Sequence, residues 1–279
     1  MASRDKGAKI FLRAFCALFL GTALLGLTAC TAIKNMGKTV LKGRINPEEV
    51  VTGLPVMRIR TGNGRAVTGK TEYVSALIEI TDPDGGGDNP ARPAAIRGRG
   101  NTSWDAPKKP YRIKFDKKTS LFGRPAAKSW VLLANYQDTT LFLNSTAFEL
   151  GKLFNLPFTP HYDHVELVLN GRYEGSYVLT NQIQAGTGRV DIDKDRGFLV
   201  ELDTHYDEDP KFTTPVLQMP VMIKHPEDTE DGPRIDSVKN ALYELEAALF
   251  DDSFPDNHYR DLINIDVFVD YIMINEITR

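Results

Sequence analysis

Arg97-Gly98-Arg99-Gly100-Asn101-Thr102-Ser103-Trp104, followed by Lys108-Lys109-Pro110-Tyr111-Arg112-Ile113-Lys114, is the stretch on which the fold turns. Taken alone, the first part is only a glycine-containing turn, because a third glycine of a dinucleotide fingerprint is replaced by Ser103. Its company is more informative. Two arginines sit inside the turn, glycine leaves backbone N–H groups open, and the next segment brings Lys108, Lys109, Arg112 and Lys114. Alternation puts Arg112 and Lys114 on one face of a strand and Tyr111, Ile113 and Phe115 on the other. Two readings fit that spacing equally: a cradle for phosphate, and a solvated strand face behind an ordinary turn.

Upstream, Val56 to Arg60 alternates, Gly62-Asn63-Gly64 signals a turn, and Tyr73 to Thr81 is a second extended run. The glycine- and aspartate-rich Asp82 to Asp88 breaks the chain before a third run, Arg92 to Arg97, and Tyr111 to Phe115 is the fourth. These four predict one antiparallel sheet. Downstream, Leu143, Ala147, Leu150 and Phe154 repeat at helical spacing. They predict a helix from Asp138, which caps it, to Phe154, before the stop at Asn155-Leu156-Pro157; the helix is expected to pack on the sheet. Val165 to Leu169 and Tyr173 to Leu179 flank Asn170-Gly171, the clearest hairpin signal in the chain. Shorter strands are expected at Arg189 to Ile192, Gly197 to Leu202 and Val221 to Lys224. The last third is helical: Ile235, Val238, Leu242, Leu245 and Leu249 mark one amphipathic face, and Ile265 to Ile277 is apolar nearly all round and therefore expected to be buried. A buried helix stopping at Arg279 without a cap suggests an incomplete domain.

The N-terminus reads as an export signal. Arg4, Lys6, Lys9 and Arg13 precede an apolar run from Ala14 to Leu27 that is short for a membrane span. It ends in Leu27-Thr28-Ala29-Cys30, which resembles a lipobox, so residues 1 to 29 are expected to be a lipoprotein signal peptide and Cys30 the lipidated residue. Residues 30 to 53 are expected to form a flexible tether. The only other cysteine, Cys16, lies in the signal, so no disulfide framework is available. Removing four basic residues and one acidic residue from the chain's 34 and 37 leaves a net charge of about −6. That balance argues against a nucleic-acid partner and leaves the acyl chains as the membrane attachment.

Other constellations are weaker. Asp191-Ile192-Asp193 begins like a calcium loop but has Arg196 where glycine is needed and Leu202 where the closing glutamate belongs. His161, Asp163 and His164 lack a further ligand at a recognised spacing, and no metal site is assigned to them.

The opening stretch, continued by Trp130 to Asn135, Asp138 and Asn144, Leu169 to Thr180, Arg189 to Ile192 and Tyr271 to Arg279, resembles the signature of the spore-coat protein H (CotH) kinase family over residues 55 to 279. The resemblance implies an α+β, atypical protein-kinase-like fold: an antiparallel N-lobe sheet with one packed helix (residues 54 to 225) and the beginning of a helical C-lobe (residues 226 to 279), left incomplete. It implies an enzyme that uses ATP with Mg or Mn to phosphorylate proteins on serine, here an exported or surface protein met by a lipid-anchored, extracytoplasmic domain. The loop Arg97 to Ser103 would cover the phosphates through Arg97, Arg99, Gly100, Asn101 and Ser103. Lys114 would contact them, Glu149 on the helix would be its partner, and Asn181 and Gln182 would lie in a hinge that meets adenine. The family's catalytic Asn-x-Asp loop and metal-binding Asp are expected beyond Arg279, so no catalytic residue or metal ligand is assigned within this chain, which is expected to be inactive as it stands. The alternative from another class is a cell-surface binding or adhesion lipoprotein on the same scaffold.

Overall fold

The run Trp130-Val131-Leu132-Leu133 has no polar member to mark an outer face, and all but Leu133 are buried. A strand covered on both sides reads as continuous apolar sequence. It is strand β5 (Ala127–Leu133), and it turns the four expected runs into a closed structure. The computed structural model describes residues 52–193, 195–226 and 232–278, all within one compact unit, Asn46–Arg279. The signal peptide, Cys30 and nearly all of the tether fall outside the described residues. Among the described residues no helix is long and apolar enough to cross a membrane.

Strands β1 (Val56–Thr61), β2 (Val74–Thr81), β3 (Asn89–Gly98), β4 (Tyr111–Thr119), β5, β6 (Tyr162–Leu169) and β7 (Arg172–Asn181) form a barrel in the order β1-β2-β3-β4-β5-β7-β6. Neighbours are antiparallel except where β6 closes onto β1 in parallel, with Val56 opposite Glu166 and Ile59 opposite Leu169. The expected single antiparallel sheet is thus corrected to a closed seven-stranded barrel. The hairpin turn supplies the latch. Asn170 and Gly171 take the left-handed backbone (φ 51° and 75°) that a tight turn needs. Asn170 N donates to Ile59 O at 2.8 Å, and its Oδ1 accepts from Thr61 N at 2.9 Å. Inside, Met57, Ile59, Ile78, Ile96, Ile113, Trp130 and Leu167 are among the fully covered side chains. Alternation along β2 and β4 sets which face is inside.

The expected helix begins later than Asp138. Helix α2 (Leu143–Leu153) follows the single turn α1 (Thr102–Asp105) in chain order, and Asp138 reaches it from five residues upstream, its Oδ2 accepting from Leu143 N at 2.8 Å. Asp138 Oδ1 is engaged by Thr140 N at 2.9 Å, so the carboxylate organises the turn that starts the helix. α2 lies on the outside of β6, with Phe148 against Tyr162 (5.6 Å between rings) and Ser145 Oγ 2.9 Å from His164 Nε2.

Beyond the barrel, β8 (Leu199–Leu202), β9 (Lys211–Thr213) and β10 (Pro220–His225) form a small antiparallel sheet in the order β8-β10-β9. Arg189 to Ile192 is not a strand; it contributes one isolated bridge, Ala185 to Val190. Helix α3 (Gly232–Phe250) buries Ile235 and Val238 against Phe212, Val221 and Ile223. Its buried Glu246 accepts from Val216 N and Leu217 N at 2.9 and 3.0 Å. After α4 (Tyr259–Leu262), α5 (Ile265–Ile277) departs from its expected burial. Only Ile274 is buried, while Val269, Tyr271, Met273 and Ile277 are 49 to 57% exposed. α5 packs one side on α2, and an all-round apolar helix covered on one side keeps much of the other in water.

Candidate functional site

The link from β3 to β4 is built by close approach. A Cβ on Gly98 would lie 2.4 Å from the Trp104 ring, so only glycine lets Trp104 fold over the end of β3. Gly100 has φ +82°, and a Cβ there would come within 2.1 Å of Ser103 Oγ. Trp104 N donates to Asn101 O at 2.9 Å, closing the short turn α1. Lys108 then ties the loop to the barrel and Lys109 ties it to itself. Lys108 Nζ donates to Ser176 O and sits 4.4 Å from the Tyr177 ring, and Lys109 Nζ donates to Trp104 O at 2.6 Å. Burial pushes the Lys108 ammonium below its ordinary value, with Glu166 and Glu174 opposing.

Across β3 and β4, Arg97 stands directly opposite Arg112, and Ala95 opposite Lys114. Ile96 and Ile113 point into the core, so Arg97, Arg112 and Lys114 share the outer face. Arg99 joins them. Its pKa is lowered by burial and next by the charge of Arg112, and the carboxylate of Glu201 opposes. Glu201 is itself in an ion pair with Lys224 at 2.7 Å.

The link from β1 to β2 braces this loop from behind. Gly98 N donates to Gly69 O at 2.8 Å, Arg97 Nη1 donates to Lys70 O, and the Arg97 guanidinium lies 5.0 Å from the centre of the Tyr73 ring. Lys70 Nζ donates to Asn101 Oδ1 at 3.0 Å. Among the described residues, none of Lys70, Arg97, Arg99 and Arg112 is ion-paired with a carboxylate, and Nε of both Arg97 and Arg112 is buried without a hydrogen-bond partner. Four cations are therefore gathered, partly desolvated, with no ion pair among the described residues and only the Glu201 carboxylate, itself shared with Lys224, acting on Arg99. That is expensive unless an anion completes the site.

The other expected site residues are placed as follows. Gly100 and Asn101 shape the turn, and Ser103 lies exposed on α1. Lys114 is exposed on the cationic face. Glu149 is not brought to it: its carboxylate binds Lys152 Nζ at 2.7 Å and also Tyr162, and these contacts hold it below the usual carboxylate range. Lys152 lies one turn along α2 and Tyr162 at the start of the adjacent β6, so the carboxylate is engaged there and the expected Lys114–Glu149 pair is not formed among the described residues. Asn181 is buried at the end of β7, its Oδ1 accepting from His161 N at 2.9 Å while Nδ2 has no partner. Gln182 O accepts from Arg189 Nη1 at 2.7 Å. The buried Arg189 also donates to Ser129 O at 2.8 Å and stacks on Trp130 at 5.4 Å, fixing the connector after β7 to β5.

Lys70, Tyr73 and the clamping role of Arg189 are what sequence reasoning missed. Lys70 lies on a link without periodicity, Tyr73 reads only as the start of the second extended run, and Arg189 stands in a quoted motif, but its burial is a tertiary property.

The cluster offers guanidinium and ammonium donors, and the one carboxylate that acts on it, Glu201, is paired with Lys224. It fits a phosphate chain and does not fit a divalent cation, and among the described residues no group of three or more His, Cys, Asp or Glu is gathered that could hold one.

Comparison with known proteins gives one family match: a model described as CotH kinase protein aligns with residues 96–279. No curated protein matches the chain significantly. The match starts on β3, at the strand that enters the cationic loop, and runs through α5.

Proposed function

The chain belongs to the CotH family, and from that premise we propose that it is an ATP-binding domain of kinase type, lipid-anchored through Cys30 outside the cytoplasm, which serves phosphoryl transfer to serine on an exported protein. The observation that carries this reading is the cluster of Arg97, Arg99 and Arg112 over the Gly98–Gly100 turn, none of them in an ion pair among the described residues. Guanidinium groups bind phosphate oxygens in a forked geometry, and open backbone N–H groups complete such a cradle. The order of elements also supports it. A glycine loop between antiparallel strands, a further strand, one helix, a hairpin and a connector at Asn181-Gln182 follow one another as in a kinase N-lobe.

Within this reading each residue has a role. Arg99 and Arg112 neutralise charge on the phosphates, Arg97 does so while held on Tyr73, and Lys114 extends the cationic face along β4. Asn181 and Gln182 lie where adenine would meet the connector. The residues of this cluster hold and orient the nucleotide; none of them is a base or a metal ligand, and magnesium would arrive on the phosphates.

The test is a thermal melt of the full chain in detergent micelles with ATP, in the presence and absence of Mg²⁺. Saturating ATP at about 100 times Kd stabilises by about 2.7 kcal/mol, and Arg99→Met is expected to erase that gain. No shift in the parent protein overturns the nucleotide reading and favours a non-catalytic surface binder.

A further inference from the structure

We propose that Lys70, on the link between β1 and β2, is a further ligand of the nucleotide phosphates, a reading that rests on the ATP site proposed above. The link lies upstream of the family match, which begins at residue 96, so no part of that match assigns it a role. Yet it is attached to the loop at three backbone or ring contacts: Gly69 O to Gly98 N, Lys70 O to Arg97 Nη1, and Tyr73 beneath the Arg97 guanidinium. Such attachment fixes where the Lys70 backbone can be.

The side chain then goes to the loop and not to solvent. Lys70 Nζ is part-buried on Asn101 Oδ1 at 3.0 Å, one residue past the positive-φ Gly100. An ammonium carries three donors, and this contact uses one. Among the described residues no carboxylate forms an ion pair with the others, although an acid here would offset the positive charge of a loop that already carries Arg97 and Arg99. A brace for the loop needs only the hydrogen bond to Asn101, which a neutral amide could make. Placing a full positive charge on a loop with half-buried guanidinium groups is favourable when a polyanion binds among them. The chemical class this fits is a nucleoside polyphosphate, with Lys70 as a point charge beside the forked arginines.

Three substitutions separate brace from ligand. Lys70→Gln keeps a donor for Asn101 and removes the charge, Lys70→Arg keeps the charge, and Lys70→Met removes both. ATP titrations of the full chain in detergent micelles, by calorimetry, are expected to give a Kd raised about tenfold for Gln and for Met, and a Kd within about threefold of the parent for Arg. Unliganded melting temperatures report the brace separately, and only Met is expected to lower them. A Gln variant that binds ATP as the parent does, with Met alone impaired, overturns the proposal and makes Lys70 a brace. A parent chain that binds no ATP overturns the site reading itself, which is a distinguishable result.

Discussion

Two charged surfaces on the outside of one barrel are built on opposite rules. Where α2 covers β6, charges are matched: Arg124 meets Asp163 at 3.1 Å, Lys152 meets Glu149 at 2.7 Å, and His164 meets Ser145. Across β3 and β4, Arg97 faces Arg112, half-buried Arg99 feels the charge of Arg112, and Lys70 approaches the same loop; none forms an ion pair among the described residues, and Glu201, which acts on Arg99, is paired with Lys224. Like charges directly opposite in a sheet are destabilising. The first surface uses charge to fix a helix, with each pair worth little. The second keeps a cost that folding does not need, and that difference is what the proposed anion site rests on.

Exchanging one arginine from each surface for methionine is the strongest way to break this contrast. Arg112→Met is expected to raise the Kd for ATP at least about tenfold while leaving the unliganded melting temperature unchanged or higher, because it removes repulsion along with a ligand. Arg124→Met is expected to do the reverse, costing about 1 kcal/mol, a few degrees in melting temperature, and leaving ATP affinity alone. Melts and titrations of the two variants side by side decide it. If Arg112→Met destabilises the free protein as much as Arg124→Met and binds ATP normally, the surfaces do not differ in kind.

That contrast was half legible in the sequence. Alternation put Arg112 and Lys114 on one strand face, and the Asn170-Gly171 turn was certain from its residues; both are local facts, and local facts survive folding. Closure of the barrel was not legible. The β1–β6 pairing joins segments about a hundred residues apart in parallel, and no turn advertises it. β5 escaped because a strand covered on both faces loses its alternation, and α5 misled because apolarity reports the partners a helix can accept, not those it meets. In the site, Lys108 and Lys109 looked like ligands by charge, yet their ammonium groups are spent on Ser176 O and Trp104 O. Lys70 looked like nothing, and lies on the loop.

The matched surface should respond to pH where the cationic one does not. His164 is packed against the rings of Phe142 and Tyr162, and burial lowers its pKa below the ordinary 6.5, with Asp163 opposing. His161 is lowered for the same first reason. As pH falls below 6.5 the unfolded chain takes up protons that the folded one refuses, so stability declines down to the folded pKa and then levels. Asp163 has the opposite sign lower on the scale: burial raises its carboxyl above 3.8 despite Arg124, so the folded state protonates first there and recovers some stability. Urea unfolding from about pH 7 to about pH 5 is expected to show the decline, and His164→Gln to flatten part of it. An unchanged slope in the variant would remove His164 from the account.

The smallest effect is the most diagnostic for how α2 relates to the nucleotide. A kinase helix is expected to offer a glutamate to the phosphate-binding lysine, and Glu149 is the only glutamate on α2. In the structure it is exposed and already engaged by Lys152 and Tyr162 on the matched surface, while Lys114 stands on the other one. Glu149→Gln is therefore expected to leave both melting temperature and ATP affinity unchanged within measurement. A clear rise in Kd for ATP in that variant would mean that the helix turns its carboxylate to Lys114 when nucleotide binds. The two surfaces would then be coupled through α2, and the separation drawn between them would hold only for the empty protein.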